Sequence, residues 1–276
     1  MTTTIVPPTT TTTTTPTQAA PVRRTTHPIP TARLVLVELR KMFNTRSGFW
    51  MLVSIGVLTP IAAGSVVIFA PDSDVTYESF ARASGFPMSL ILPMLAILAV
   101  TNEWSQRSGL TTFTLVPSRG RVIGAKSIAT LLVGLVSVAL AFAVGALGNV
   151  AGSALAGVDT VWDISMVMAS QMVLFNLIGM AIGFTLGVLL RNSAAAIVGY
   201  FVVSLVLPGV LLLLAQVRSW FEDLQPWVDW NETQVALLEG AMDTGEEWAM
   251  LASTTTIWIV VPLVVGLLFM RRSEVK

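Results

Sequence analysis

The chain has no cysteine among its 276 residues and only one histidine, His27. The lack of cysteine excludes disulfides, thiolate catalysis and cysteine-ligated zinc. Charged residues make up only 12% of the chain, whereas an ordinary soluble domain carries about 25%. A single soluble core of this length would need more surface charge, so that class of fold is excluded. Basic and acidic residues balance at 16 each, and no bulk affinity for nucleic acid is expected.

Hydrophobic residues make up 54% of the chain and are concentrated in long runs. A helix that spans a bilayer needs about 20 predominantly apolar residues. Six runs have this character, so the sequence predicts an all-α membrane protein with six transmembrane helices. The second run is short and would span only by extending back to Phe80 or forward through Trp104. The predicted spans cover residues 49–70, 87–101, 127–151, 164–190, 193–215 and 250–270.

The basic residues are distributed unevenly among the connections between the runs. Of the 16 lysines and arginines, 14 lie before the first run, between the second and third, between the fourth and fifth, or after the sixth. Cytoplasmic loops of membrane proteins carry an excess of lysine and arginine. We therefore expect a multi-pass protein of the cell membrane with both termini in the cytoplasm.

Two segments precede the first run. Residues 1–30 are rich in threonine and proline, which predicts a disordered cytoplasmic tail, with a regulatory role as the alternative. Residues 31–47 place Val35, Leu39 and Met42 at helical spacing. This pattern predicts an amphipathic helix that lies in the membrane interface.

The six runs contain no aspartate, glutamate, lysine, arginine or histidine. Ionisable residues inside a membrane mark proton relays and ion pathways, so a proton-driven antiporter, a charged-filter channel and an intramembrane protease are disfavoured. The chain also has no Gly-x-x-x-x-Gly-Lys-Ser/Thr phosphate loop. We expect neither enzyme activity nor a cofactor on this chain, and any transport would be powered by another subunit.

The fourth run carries the most informative polar and small residues. Gln171 and Asn176 either form interhelical hydrogen bonds or line a polar path. Gly179, Gly183 and Gly187 recur at four-residue spacing, which allows close helix packing, within the subunit or against a second copy.

Two further features concern backbone geometry. Prolines inside the runs predict kinks or short unwound turns at Pro60, Pro93, Pro208 and Pro262. The acidic, tryptophan-rich loop 216–249 predicts two short interfacial or re-entrant helices, broken near Pro226. This loop is either an aromatic belt or an outer gate.

The most informative connection is residues 103–126, which read EWSQRSGLTTFTLVPSRGRVIGAK. Leu110 and Phe113 give a short apolar face between basic flanks, suited to docking in a groove on a partner protein. We expect the Glu103 carboxylate to pair with Arg107 or Arg119 and so to stiffen the loop. A purely solvated loop that only fixes topology is the alternative.

The order of residues in this connection resembles the signature of ABC-2-type transporter permeases. That signature has a glutamate at the end of the second span, a Gly-Thr-Leu step, a Pro-x-Ser/Thr-Arg turn and a lysine that opens the third span. Here Gly-Leu-Thr stands at 109–111, a mild departure. The segment from Glu38 to Lys41 is similar to the connecting helix of this family. The resemblance covers residues 31–276 and makes 48–276 the six-span permease domain.

The resemblance implies a transport subunit that pairs with two copies of a cytoplasmic ATPase, which would bind the ATP and Mg. It implies a second permease copy or a paralogous permease, membrane lipid around them, and export of a drug, peptide, lipid or glycan. The residues that would couple to the ATPase are Glu103, Arg107, Gly109, Leu110, Phe113, Pro117, Ser118, Arg119 and Lys126. A non-transporting membrane scaffold and a secondary transporter for a neutral substrate are the rival interpretations.

Overall fold

The computed structural model describes residues 29–105 and 119–272, with side chains described over 29–102 and 120–269. About 88% of the described chain is helical, without a strand. The prediction of an all-α protein is therefore confirmed. The helices are α1 (Thr31–Asn44), α2 (Arg46–Phe69), α3 (Tyr77–Ser105), α4 (Arg119–Ala156), α5 (Met166–Leu190), α6 (Ser193–Phe201), α7 (Leu207–Val217), α8 (Ser219–Glu222), α9 (Gln225–Val228), α10 (Trp230–Glu239), α11 (Gly245–Thr255) and α12 (Val261–Arg272).

In the part of the chain that the structure describes, six stretches of helix are long and apolar enough to cross a membrane, in agreement with the six predicted spans. The first four spans are α2 to α5. The fifth joins α6 to α7 through a π-helical turn at Val202–Val206, and the sixth joins α11 to α12 through a second π turn at Thr256–Val260. The short second run becomes long enough because its helix begins at Tyr77. The chain is a multi-pass membrane protein.

The second span, α3, is the central helix and contacts α2, α4 and α5. Its residues Met88, Leu92 and Val100 are fully buried in the main core. Glycines on the neighbouring spans allow this close approach, because a helix without side chains at the contact lets another backbone come near. A Cβ at Gly183 of α5, for example, would lie 2.5 Å from the Pro93 carbonyl oxygen of α3.

A second set of glycines, on α4, packs against the N-terminal part of α3. Gly148 and Gly152 face the ring of Phe80, and Gly145 faces the backbone of Ala81. The Phe80 side chain is completely buried there. Glycines therefore line both flanks of the second span.

The helix expected over residues 31–47 is divided in two by the structure. α1 ends at Asn44, and Thr45 begins α2 by accepting a hydrogen bond from the Gly48 amide at 3.3 Å. Val35 and Met42 of α1 are buried against α3 and α4, whereas Leu36 is 65% exposed. Part of the apolar surface of α1 thus packs on the protein itself.

The two ends of the spans differ in the charge of the segments that they carry. At one end, Asn149 and the Tyr77 amide both donate to the Val161 carbonyl, at 2.8 and 3.1 Å. We call this end, which carries residues 70–76, 157–165 and 218–244, the acidic side. The opposite end, which carries residues 29–45, the termini of α3 and α4, and 191–192, is the basic side.

Candidate functional site

The basic side holds a buried ion pair between two residues that are far apart in sequence. Lys126 of α4 donates from Nζ to the Glu38 Oε2 of α1 at 2.5 Å. The two side chains are only 4% and 9% exposed. The same ammonium donates to the Ala99 carbonyl of α3 at 3.0 Å. Lys126 therefore joins α1, α3 and α4 at one point.

The local sequence explains how a lysine reaches this position. Ala125 and Ala129 lie beside Lys126 on the buried face of α4, and their small side chains let α1 approach closely. Val35 and Met42 of α1 pack against the same face. Lys126 is thus buried on a face whose neighbouring residues are apolar, and its ammonium group bonds to oxygen atoms.

A second lysine shares the Glu38 carboxylate from the solvent-facing side of α1. Lys41 Nζ lies 2.7 Å from Glu38 Oε1, and its side chain is 41% exposed. Removing one member of a buried ion pair leaves an uncompensated charge and is strongly destabilising, whereas an exposed pair contributes little. The contact with Lys126 is therefore the stronger structural link of the two.

Two further hydrogen bonds connect elements on the basic side. Thr101 of α3 and Ser193 of α6 have their hydroxyl oxygens 2.7 Å apart. The Arg121 guanidinium of α4 donates to the Ile29 carbonyl ahead of α1. The start of the fifth span and the segment before α1 are thereby tied to the same end of α3 and α4.

Most of the predicted coupling residues lie outside the described part of the chain. This applies to Arg107, Gly109, Leu110, Phe113, Pro117 and Ser118. Glu103 lies in α3 and Arg119 begins α4, but their side chains are not described, and their expected ion pair stays a prediction. The buried contact of Lys126 lies between the two helices that enter and leave this segment.

The two polar residues of the fourth span have different surroundings. Gln171 is 2% exposed and forms two hydrogen bonds of 3.3 Å with the backbone of Met242. Asn176 donates to the Met172 carbonyl at 3.0 Å, one turn earlier in the same helix. Gln171 thus bonds to a loop on the acidic side, an interaction that neither of the predicted roles named.

The glycine ladder of the fourth span faces the second span of the same chain. Gly183 meets the backbone of Pro93, and Gly187 meets the backbone of Ile97. A Cβ added at Gly179 would lie 3.7 Å from the Tyr200 hydroxyl oxygen of the fifth span. This face is occupied within the subunit and is not available to a second copy.

The loop between the fifth and sixth spans contains three short helices, α8 to α10, where two were expected. Pro226 lies in the first turn of α9 rather than at a break. Within this loop, Trp230, Gln234 and Leu237 of α10 are buried. Neither Gln234 nor Leu237 was singled out from the sequence, because the buried face of α10 is set by its packing on the distant helix α5.

Over the side chains that the structure describes, no three histidine, aspartate or glutamate residues are grouped as in a metal site. In comparisons with known proteins, no family model and no curated protein matches this chain. The interpretation of its function therefore depends on the motif, the span topology and the contacts on the basic side.

Proposed function

We propose that this chain is the permease subunit of an ABC-2-type exporter, driven by a separate cytoplasmic ATPase. The observation that best supports this proposal is the buried contact of Lys126 with Glu38 and the Ala99 carbonyl. It joins three helices around residues 103–126, the segment that resembles the family signature. A segment docked on the ATPase would then act against a firm anchor, and its motion would reach the spans instead of being absorbed locally.

In this proposal the basic side faces the cytoplasm, as the distribution of lysine and arginine favours. Two ATPase copies contact two permease subunits, either identical or paralogous, and ATP and Mg bind to the ATPase. The α1 helix is the connecting helix, with Leu36 and Phe43 directed away from the protein at 65% and 54% exposure, available to the membrane interface. The resemblance implies a hydrophobic or amphipathic cargo, and the lack of charged residues in the predicted spans disfavours an ion.

The test is to co-purify the chain with its cognate ATPase and to measure complex yield and cargo-stimulated ATP hydrolysis. Glu103→Gln should leave the yield unchanged and lower the stimulated rate, and Glu103→Ala should lower it at least as much. Phe113→Asp should instead reduce the yield, since it places a charge on the docking face.

Arg33→Gln is the matched control, because Arg33 is an exposed basic residue of α1 outside both the proposed contact and the segment from Glu38 to Lys41. It should change neither measurement. Full stimulated activity in Glu103→Ala, or normal ATPase binding in Phe113→Asp, would contradict the coupling role of residues 103–126. A complex that forms but never shows cargo-stimulated hydrolysis would favour the scaffold interpretation.

A further inference from the structure

A cavity of about 280 Å³ lies between the third, fourth and sixth spans. Its walls include Ile128 and Leu131 of α4, Ala181 and Phe184 of α5, and Leu263 of α12. An apolar cavity of roughly half this volume stays dry and binds small apolar molecules. The cavity is therefore large enough to hold part of a lipid chain, and its apolar walls favour such an occupant.

Two features of the sixth span account for this cavity. Near the basic side, Gly266 packs closely on α5, since an added Cβ would lie 3.1 Å from the Val188 side chain. Further from that side, Ile259 of the π turn forms part of the cavity wall, and Pro262 follows the turn. Proline and π turns are the usual sites where a helix bends. The sixth span thus meets the fourth near its end and leaves space between them in the turns before.

The cavity is open to the surroundings on the side of α4. Ile128 and Leu131, which form that wall, are each 43% exposed. Val264 of α12 follows the lining residue Leu263 and is 49% exposed. All four residues belong to helices that are long and apolar enough to cross a membrane. In a bilayer, lipid acyl chains therefore surround the opening.

One hydroxyl group in the cavity wall has no hydrogen-bond partner among the described residues. It belongs to Thr185 of α5, which is 1% exposed. The other two hydroxyl groups of the wall donate to carbonyls of their own helix, Ser127 to Gly124 at 2.9 Å and Thr130 to Lys126 at 2.7 Å. A buried polar group without a partner costs free energy. An ester carbonyl of a bound lipid would accept from Thr185 and remove that cost.

An arginine lies at the basic-side end of each helix that lines the cavity. These residues are Arg121 in the first turn of α4, Arg191 directly after α5, and Arg271 in the last turn of α12. Arg121 precedes Ile128 by seven residues, so it lies on the same face of α4 and about 10 Å nearer that end. Its guanidinium donates to the Ile29 carbonyl, and a guanidinium carries five N–H donors, which suit a phosphate. Basic residues between membrane helices bind anionic headgroups.

We propose that this cavity binds one anionic phospholipid. An acyl chain fills the space between the third, fourth and sixth spans, Thr185 donates to the ester carbonyl, and the phosphate lies near Arg121. The apolar walls, the buried hydroxyl and the basic end follow one another along the helices in the order of these three parts of the lipid. The site does not depend on the proposed function, because it needs neither ATPase nor cargo.

The experiment is photo-cross-linking in phosphatidylcholine nanodiscs without ATPase. The probe is phosphatidylglycerol with a diazirine on one acyl chain, and phosphatidylcholine with the same chain is the control probe. Mass spectrometry identifies the labelled peptides. We expect the anionic probe to label residues 127–131 and 177–185 and to be displaced by unlabelled phosphatidylglycerol. The neutral probe should label lipid-facing residues without this preference.

Three positions test the parts of the site separately. Ala181→Phe fills the cavity and should abolish labelling there, whereas Ala139→Phe, at an exposed position of α4 outside the cavity, should leave it unchanged. Thr185→Val keeps the side-chain shape, removes the donor and should weaken binding of the anionic probe about threefold. Arg121→Gln should weaken binding about fivefold, and Arg121→Lys, which keeps the charge, should bind like the unmodified chain.

Labelling spread evenly over lipid-facing residues, equal labelling by the neutral probe, or unchanged binding in Ala181→Phe or Thr185→Val would overturn the proposal. An equal loss in Arg121→Gln and Arg121→Lys would also overturn it, because the arginine would then act through its bond to Ile29 and not through its charge. If Ala181→Phe is not monodisperse, Leu131→Trp in the exposed wall replaces it under the same criteria.

Discussion

The second and fifth spans differ in a way that their composition does not indicate. The fifth span is the more apolar, with a mean hydropathy of 2.6 against 2.0, yet only 6% of the residues in its most apolar stretch are buried, against 56% in the second span. Lipid is as apolar as a leucine side chain, so hydrophobicity alone does not favour the transfer of a helix from lipid into protein. In this chain the buried span is the one that glycines of its neighbours face: Gly145, Gly148 and Gly183 all contact the second span.

The two regions are also stabilised by different interactions. The second span is held by close packing and by Lys126, which bonds to its Ala99 carbonyl. The fifth and sixth spans depend on hydrogen bonds to the loop on the acidic side, through Trp230 and Trp258. The first arrangement favours rigidity, and the second permits motion. One pair of variants tests the ion pair that holds the second span, and two further pairs compare the two regions directly.

The largest effect is expected at the buried ion pair on the basic side. Lys126→Met should lower the free energy of unfolding by about 3–5 kcal/mol, because the Glu38 carboxylate stays buried without its buried positive partner. Lys41→Met removes the exposed partner of the same carboxylate and should change the free energy of unfolding by at most about 1 kcal/mol. Unfolding by SDS in mixed micelles measures both. Equal losses would show that the buried contact is not the anchor.

A smaller effect is expected from adding one methyl group to each region. Gly183→Ala places a Cβ 2.5 Å from the Pro93 carbonyl oxygen, a backbone atom that cannot swing aside. Overpacking of this kind costs about 1–3 kcal/mol. Gly209→Ala, in the fifth span, meets nothing within 4 Å and should be neutral or slightly stabilising. The melting temperature of each purified variant gives the comparison, and a similar loss at Gly209 would contradict it.

The smallest effect comes from removing one tyrosine hydroxyl in each region. Tyr77 donates to the Phe142 carbonyl at 3.3 Å, between the second and third spans, and Tyr200 donates to the Ser89 carbonyl at 3.2 Å, between the fifth and second. Each change to phenylalanine should cost about 0.6 kcal/mol. Amide exchange should accelerate locally in the fifth span of Tyr200→Phe and stay unchanged around Tyr77→Phe. Equal acceleration of amide exchange in both variants would contradict the expected difference in rigidity between the two regions.

Several features of the fold could be predicted because they depend on local composition. The six spans follow from runs of apolar residues, which have to be helical in a bilayer since every backbone group needs an internal partner. The close packing of the fourth span follows from Gly183 and Gly187. Prolines at 208 and 262 predicted unwound turns, and π turns precede both of them.

Other features depend on residues that are distant in sequence. Glu38 and Lys126 were each singled out by a family motif, yet their contact was not expected, because 88 residues separate them. Gln171 and Met242 are similarly 71 residues apart. A spacing of Gly145, Gly148 and Gly152 was present in the sequence and could have indicated the second glycine face.

The sequence by itself determined that the described chain is helical, that six of its helices are long and apolar enough to cross a membrane, and which connections between them are basic and acidic. These properties are sums over neighbouring residues and need no knowledge of the partner helix. The tertiary structure alone decided that the second span is central, that Lys126 bonds to α1, and that tryptophans meet the turns beside the prolines. Those contacts depend on which helix surfaces fit together, and apolar lipid gives no preference among equally apolar surfaces.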